Sequence, residues 1–316
     1  MPINADKPHL WKADSKASVD LFNTWFLKFA PKAYRDTRSQ TTKQVAEVLI
    51  LTKDLSVITP EVLKEHPGIL PTLRMAACPP LARDRLVGLS GATKSLILAM
   101  ESGRMAVRMP ARLLTENLKR VSATITKMLD VDIFPWLVAK GKASDEDRYR
   151  ASTIVADRLC GAVSDPIVRN AQEKRQLALI GSYLSKRGYQ QRPHPAAPSL
   201  REMAPGTYGF RMVVVAGDPH KVNIPIDVVV QPKRLTADHL PVLIEAKSAG
   251  DFTNVNKRRK EEATKVRQIR ATYGDDVRFL LFLCGYFDGG YLGYEAAEGI
   301  DWIWEHRIED LDKLGL

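Results

Sequence analysis

The 316-residue chain has few residues of the kinds that support disulfide, zinc or histidine chemistry. Its 3 cysteines, Cys78, Cys160 and Cys284, are widely spaced among apolar neighbours, which predicts free, buried thiols in a reducing compartment. No cysteine–histidine spacing is typical of zinc, and the 6 histidines form no catalytic motif. The sequence therefore argues against a disulfide-bonded fold, a zinc site and histidine-based catalysis.

Long apolar runs are also missing. No stretch approaches the roughly 18 apolar residues that a membrane-spanning helix requires. The first residues, Met-Pro-Ile-Asn-Ala-Asp-Lys, contain no hydrophobic segment of a signal peptide. We therefore expect a cytoplasmic protein that does not contact a membrane.

A nucleotide-binding loop is not predicted either. The stretch from Gly88 to Ser95 ends in Lys-Ser after two glycines, but Thr93 stands where the phosphate-binding motif requires glycine. The residues before it, from Arg83 to Val87, have the pattern of a helix rather than of the apolar strand that precedes such a loop. We therefore expect no nucleotide cofactor.

The chain does have enough apolar residues for sizeable cores, together with an excess of positive charge. Its hydrophobic content is 45%, its net charge is +10 and its isoelectric point is about 9.4. A surface field of this sign attracts polyanions, although charge alone does not separate DNA from RNA. The composition is that of a globular protein of one large or two ordinary domains.

Helical periodicity dominates the first half of the chain. Apolar residues recur at helical spacing in several segments, and Thr59-Pro60 is typical of a capped helix start. The segments are 18–30, 41–51, 83–101, 111–129 and 145–163. We predict an all-helical N-terminal domain over residues 1–164, with DNA recognition or dimerisation as its role.

The second half alternates between helix and strand patterns and forms a predicted domain over residues 165–316. Asp165-Pro166 predicts the start of a helix that ends near Gly188, and the prolines of 190–206 predict a loop. Short apolar runs then predict strands, with a polar helix before the last of them. The strands are expected at 210–215, 222–230, 242–247 and 278–284, and the helix at 256–273.

Two of these predicted strands carry isolated charges. Asp227 interrupts the first of the two, and Glu245 and Lys247 follow the apolar run of the second. Because side chains alternate along a strand, Glu245 and Lys247 share one face. Pairing of the two strands would bring Asp227 beside Glu245 in a poorly solvated place, where both carboxylates stay ionised only with compensation.

A divalent cation would provide this compensation. An all-oxygen ligand set suits Mg²⁺, which keeps several waters and takes further ligands from a phosphate substrate. Lys247 would then orient or deprotonate an attacking water, or stabilise charge on the scissile phosphate. The three residues together predict a phosphodiester hydrolase.

The same residues carry a resemblance to a known family. Pro225, Asp227 and the run Glu245-Ala246-Lys247 resemble the signature of the PD-(D/E)xK nucleases, among which are many type II restriction endonucleases. The wider stretch Glu-Ala-Lys-Ser-Ala-Gly-Asp-Phe-Thr-Asn at 245–254 is similar to the XamI group of restriction enzymes. Ile226 separates Pro225 from Asp227, which departs slightly from the pattern.

The resemblance implies an α/β core of the restriction-endonuclease type, with a mixed sheet flanked by helices behind the helical N-terminal domain. It implies Mg²⁺-dependent cleavage of both strands of double-stranded DNA at a short palindromic site, leaving 5′-phosphates, by a homodimer. Asp227, Glu245 and the Ala246 carbonyl would bind the metal. Glu173, on the helix before the sheet, would line the metal site, or would be a carboxylate paired with Arg169 or Lys174 nearby.

The segment after the charged strand is the predicted DNA contact. Its basic residues begin about ten positions after Lys247, where a phosphate backbone would lie. Asn254 and Asn256 would cap the helix or read adenine edges. The candidate DNA-binding residues are Asn254, Asn256, Lys257, Arg258, Arg259 and Lys260.

Two other functions fit the sequence. One is a structure-specific repair nuclease or junction resolvase with the same core, and the other is a DNA-binding protein that uses an inactive nuclease fold. The three intact charges argue against the second, because burying unused charges is costly.

Overall fold

The computed structural model describes residues 2–105, 108–139, 141–192, 200–217, 221–234, 240–252 and 259–316. The chain forms two compact units, one of residues 30–167 and one of residues 2–29 together with 168–316. The predicted division into domains at residue 164 stays a prediction. Among the described helices, none is both long and apolar enough to span a lipid bilayer.

Helices make up most of the first 186 residues. Several are short, whereas the first and the last exceed forty residues. Their bounds are α1 Pro8–Leu51, α2 Pro60–Glu65, α3 Leu70–Met75, α4 Arg83–Ser90, α5 Lys94–Glu101, α6 Ala111–Met128, α7 Trp136–Ala139 and α8 Asp145–Lys186. Short 3₁₀ helices lie at Pro67–Ile69, Leu200–Glu202 and Glu305–Leu314.

The helical unit, 30–167, has one buried core. Leu63, Leu70, Leu73, Leu86 and Leu96 are completely buried in it. On α6 the buried side chains recur every three or four residues, so that one stripe faces this core. The stripe consists of Leu114, Asn117, Leu118, Val121, Ser122 and Ile125.

The sheet unit contains six strands within the described residues, in the spatial order β1 to β6. Strands β2, β3 and β4 are antiparallel neighbours, whereas β4, β5 and β6 are parallel. Helices α9 and α10 connect the parallel strands, as such crossovers require. The bounds are β1 Gln190–Gln191, β2 Thr207–Ala216, β3 Val222–Gln231, β4 Val242–Ala249, α9 Arg259–Tyr273, β5 Arg278–Gly285, α10 Gly289–Ala297 and β6 Asp301–Trp304.

Both faces of this sheet are covered. On one face Leu243 and Leu281 pack with Val266 and Ile269 of α9. On the other face the next residues along the strands, such as Ile244, pack with the C-terminal half of α8. A buried α/β sandwich explains why β5 is apolar at nearly every position. The predicted α/β class with a mixed sheet is thus confirmed.

Several predicted element boundaries were wrong. Pro166 lies inside the continuous helix α8 and does not begin a new one. The segments 18–30 and 41–51 belong to a single helix, α1, which contains Pro31. The predicted helix 83–101 is divided at Gly91, whose left-handed backbone (φ 63°) ends α4.

The structure corrects two further expectations. Gln190–Gln191, placed in a proline-rich loop, is a short strand paired in parallel with β2. All three cysteines are free and Cys160 and Cys284 are buried, but Cys78 is exposed.

Candidate active site

The proposed catalytic side chains lie where β3 and β4 stop pairing. The register of the two strands runs through Val230↔Val242 and Val229↔Leu243 and ends at Val228↔Ile244. Asp227 and Glu245 are the next residues on each strand. The acidic residues predicted from the sequence therefore occupy the point at which the backbone ladder opens.

Beyond the last backbone pair, the Asp227 side chain hydrogen-bonds to the backbone of β4. Its Oδ2 accepts a hydrogen bond from the backbone N–H of Ala246 at 2.8 Å. In a strand, the N–H and the C=O of one residue point to the same side, as the paired bonds of an antiparallel ladder show. The Ala246 carbonyl therefore points toward Asp227.

Glu245 and Lys247 share one face of β4, as their spacing predicts. Lys247 Nζ lies 3.1 Å from Glu245 Oε1. The same carboxylate oxygen lies 2.8 Å from Nζ of Lys265, a residue of α9. Lys265 also donates a hydrogen bond to the Pro225 carbonyl on β3 at 3.3 Å, so it links the two strands across the opening.

Glu262 is a second buried carboxylate at this site, and the sequence analysis missed it. Its side chain is 1% exposed, and its Oε1 lies 2.9 Å from Lys247 Nζ. On α9 it lies one and two turns before the buried Val266 and Ile269. A carboxylate within an apolar helix stripe was the signal that could have identified it.

The Asp227 carboxyl is close to titration at neutral pH. Burial raises its pKa to about 6, and the charges of Glu245 and Glu173 raise it as well. The hydrogen bond from Ala246 and the charge of Lys247 act in the opposite direction without cancelling this shift. Burial alone would lower the pKa of Lys247, but the Glu245 and Glu262 carboxylates outweigh it and raise the pKa. Lys247 is therefore an ammonium ion.

Glu173 lies at the edge of the site and is paired. Its Oε1 lies 2.7 Å from Nη2 of Arg211, a residue of β2. The neighbours considered from the sequence as its partners, Arg169 and Lys174, are not the observed partner. Glu173 is nevertheless near enough to raise the pKa of Asp227.

The donor set suits a hard divalent cation. Within the described ranges, no three acidic, histidine or cysteine side chains come together as a ready-made metal cage. Mg²⁺ needs no such cage, because one or two carboxylates, waters and substrate phosphates suffice. Among the described residues the buried Oε2 of Glu245 has no hydrogen-bond partner, which leaves one lone-pair donor beside Asp227. Asp227, Glu245 and the Ala246 carbonyl are therefore suitable ligands.

The side chains of the predicted DNA-contacting residues lie outside the part of the chain that the structure describes. Asn254, Asn256, Lys257 and Arg258 lie outside the described residues. Arg259 and Lys260 are the first residues of α9, and their side chains lie outside the description too.

The chain is similar to known proteins over most of its length. The model of the XamI restriction endonuclease family matches residues 53–304. The chain is 56% identical over 313 residues to the type II restriction enzyme SalI of Streptomyces albus G, with 99% of each chain covered. No solved structure matches the chain.

These matches confirm the resemblance that the residues of β3 and β4 predicted, and with it the enzyme class, a type II restriction endonuclease. The family model spans most of the chain, and the similarity to the relative spans nearly all of it. The chain therefore belongs to the XamI restriction endonuclease family.

Proposed function

We propose that this restriction endonuclease hydrolyses one phosphodiester in each strand of double-stranded DNA at a short palindromic site. The reaction is Mg²⁺-dependent and leaves 5′-phosphates. The observation that carries the proposal is the meeting of Asp227, Glu245 and Lys247 where β3 and β4 part. The six-stranded sheet with helices on both faces then corresponds to a PD-(D/E)xK core.

The acidic pair provides the metal site. Asp227 and Glu245 hold the cation, and the Ala246 carbonyl is the third protein ligand. A divalent cation bound there supplies positive charge to the scissile phosphate and lowers the pKa of its bound water. Glu173 stays a candidate for the edge of this site.

Lys247 acts as a cation in this proposal. Since Glu245 and Glu262 keep it protonated in the free protein, its Nζ donates a hydrogen bond to the attacking water or to a phosphate oxygen. Water adds to phosphorus in line with the leaving 3′-oxygen, and the P–O3′ bond breaks. The products carry a 5′-phosphate and a 3′-hydroxyl.

A palindromic target requires two equivalent active sites, so we propose a homodimer with two-fold symmetry. The net charge of +10 favours association with the DNA backbone. Segment 254–260, which follows β4 in the chain and has four consecutive basic residues, is the proposed phosphate contact.

Cleavage of a long, sequence-diverse DNA with Mg²⁺, followed by sequencing of the ends, tests this function, with EDTA as the control. Discrete fragments whose ends share one short palindrome support it. Nonspecific degradation or cutting at branches would instead indicate a repair nuclease, and the absence of cutting would indicate a DNA-binding protein.

Lys247→Ala then tests the assigned chemistry. Because Lys247 acts on the reacting groups, we expect cleavage to fall by roughly a hundredfold or more while DNA binding is kept. Lys313→Ala is the control, since it removes an equal charge from an exposed lysine paired with Asp310. Full activity in Lys247→Ala would contradict the proposal.

A further inference from the structure

Strand β2 is distorted at one residue, Arg211. Its backbone is left-handed, with φ 51°, in the middle of a ten-residue strand. The register with β3 passes from Phe210↔Val228 directly to Met212↔Ile226, so that the rung between them is not formed. The residue opposite Arg211 on that rung is Asp227.

The distortion changes which face of the sheet the alternate side chains of β2 occupy. Residues 210 and 212 would share a face in a regular strand. Instead Phe210 packs against the α8 side of the sheet, and Met212 belongs to the core on the α9 side. Glycine adopts a left-handed backbone without steric cost, whereas arginine does so at a cost in free energy. The backbone conformation at position 211 favours glycine, so it does not explain why the residue is an arginine.

The Arg211 side chain is well placed for substrate. It is 61% exposed, and Glu173 of α8 holds its guanidinium at 2.7 Å. An exposed ion pair of this kind contributes little to folding stability. Because the flanking pairs Phe210↔Val228 and Met212↔Ile226 hold the two strands together on either side, the backbone of Arg211 is a near neighbour of the Asp227 backbone. The chain thus places a solvent-accessible guanidinium beside the acidic site.

We propose that Arg211 is a DNA-binding residue of this enzyme, and that it binds a backbone phosphate at or next to the scissile bond. The proposal rests on the proposed function, because the phosphate is that of the DNA to be cut. In the free protein, Glu173 orients the guanidinium. On binding, a phosphate takes the place of the Glu173 carboxylate as its partner.

The chemistry of the guanidinium supports this assignment. Its planar fork of N–H donors matches two oxygens of a phosphate as well as two of a carboxylate. The exchange of partners also brings positive charge to a site where the two carboxylates would otherwise repel the DNA backbone. A phosphate contact carries no base information, so Arg211 contributes affinity and positioning and leaves the cut site unchanged.

The salt dependence of DNA binding tests the proposal. Binding of the full chain is measured in EDTA, so that no cleavage occurs, to one DNA duplex of fixed sequence that is the same for every variant. We expect Arg211→Gln to bind about tenfold more weakly at low salt. For this variant, log affinity plotted against log salt concentration from about 50 to 200 mM should fall less steeply. The magnitude of the slope should be smaller by about 0.9 for each chain bound. Arg211→Lys should keep the slope and part of the affinity.

Arg187→Gln is the matched control. Arg187 also belongs to an exposed pair, with Asp312, and its exposure is 33%. It directly follows the last residue of α8 and lies fourteen residues after Glu173, which corresponds to about 21 Å along the helix axis. We expect this variant to bind with the affinity and slope of the unmodified protein.

A second pair of variants separates binding from folding. Arg211→Gly and Arg211→Ala should lose DNA affinity equally, while the glycine variant should unfold about 2 °C above the alanine variant because its backbone is relaxed. An Arg211→Gln protein with unchanged affinity and slope would overturn the proposal. A wild-type chain that cuts no DNA with Mg²⁺ would instead overturn the proposed function, which the EDTA binding data do not depend on.

Discussion

At the scale of single residues, Asp227 links stability to pH. Its pKa is raised to about 6 in the folded chain, mainly by burial, from an ordinary value of 3.8. The folded state therefore binds more protons than the unfolded state between these values. The stabilisation is fully present below about pH 4 and is lost as the pH rises through about 6. Above pH 6 the folded protein carries an unfavourable buried charge.

Asp227→Asn should remove this charge and keep the acceptor for the Ala246 N–H. In EDTA at about pH 8 we expect the variant to be more stable than the unmodified protein by at most about 3 kcal/mol, and the difference should shrink as the pH falls toward about 4. Denaturant unfolding across this range measures it. A difference that does not change with pH would contradict the argument, and added Mg²⁺ should stabilise only the unmodified protein.

Glu262 belongs to the same scale, as a positioning residue for Lys247. Its buried Oε1 holds the ammonium group from the α9 side, while Glu245 holds it from within β4. Glu262→Leu leaves the ammonium with one of these two carboxylates. Because small displacements of a catalytic group are costly in rate, we expect kcat to fall by roughly ten- to a hundredfold with little change in KM.

Glu262→Gln keeps an acceptor of the same shape and should recover much of the rate lost in Glu262→Leu. Single-turnover cleavage and DNA binding in EDTA separate an effect on chemistry from an effect on affinity. Glu261→Gln is the control, since Glu261 is the exposed neighbour on the same helix turn. Equal losses in the Leu and Gln variants, or a loss in binding alone, would contradict a positioning role.

At the scale of elements, the strands and their charges were predictable from local pattern. The apolar runs of β3 and β4 are short and bounded by polar residues, and alternation alone places Glu245 and Lys247 on one face. The closeness of Asp227 to Ala246 follows once the two strands pair. These are short-range consequences of sequence, whereas the catalytic roles of the residues stay predictions.

Helix boundaries were less predictable, because tertiary packing overrides local preference. Asp165-Pro166 has the residues of a helix start, yet α8 continues through Pro166, although proline cannot donate a helical hydrogen bond. Pro31 lies inside α1 in the same way.

Contacts between elements far apart in sequence could not be predicted at all. The pair of Arg211 with Glu173 joins β2 to α8 across 38 positions. The contact of Glu262 with Lys247 depends on how α9 packs over β4. Neither follows from a local pattern, since each requires the assembled sheet. Strand alternation therefore predicted the shared face of Glu245 and Lys247, whereas the contacts made by Arg211 and Glu262 required the assembled fold.

At the scale of the whole molecule, the helical core and the proposed metal ligands belong to different units of the chain. The helical unit has a core of its own, in which Leu73 is completely buried. The proposed metal ligands all belong to the sheet unit, 2–29 with 168–316. We therefore expect Leu73→Ala to destabilise the helical unit by about 2–5 kcal/mol without changing the affinity of the acidic site for Mg²⁺.

Hydrogen–deuterium exchange with and without Mg²⁺ measures both effects in one protein. In Leu73→Ala the amides of the helical unit should exchange faster, while the protection that Mg²⁺ gives to β3 and β4 should persist, because a ligand stabilises the structure that binds it. Leu281→Ala is the matched control, since Leu281 is equally buried, on the strand next to β4. It should weaken the Mg²⁺-dependent protection through loss of sheet packing. Loss of that protection in Leu73→Ala as well would mean that the acidic site depends on the helical core.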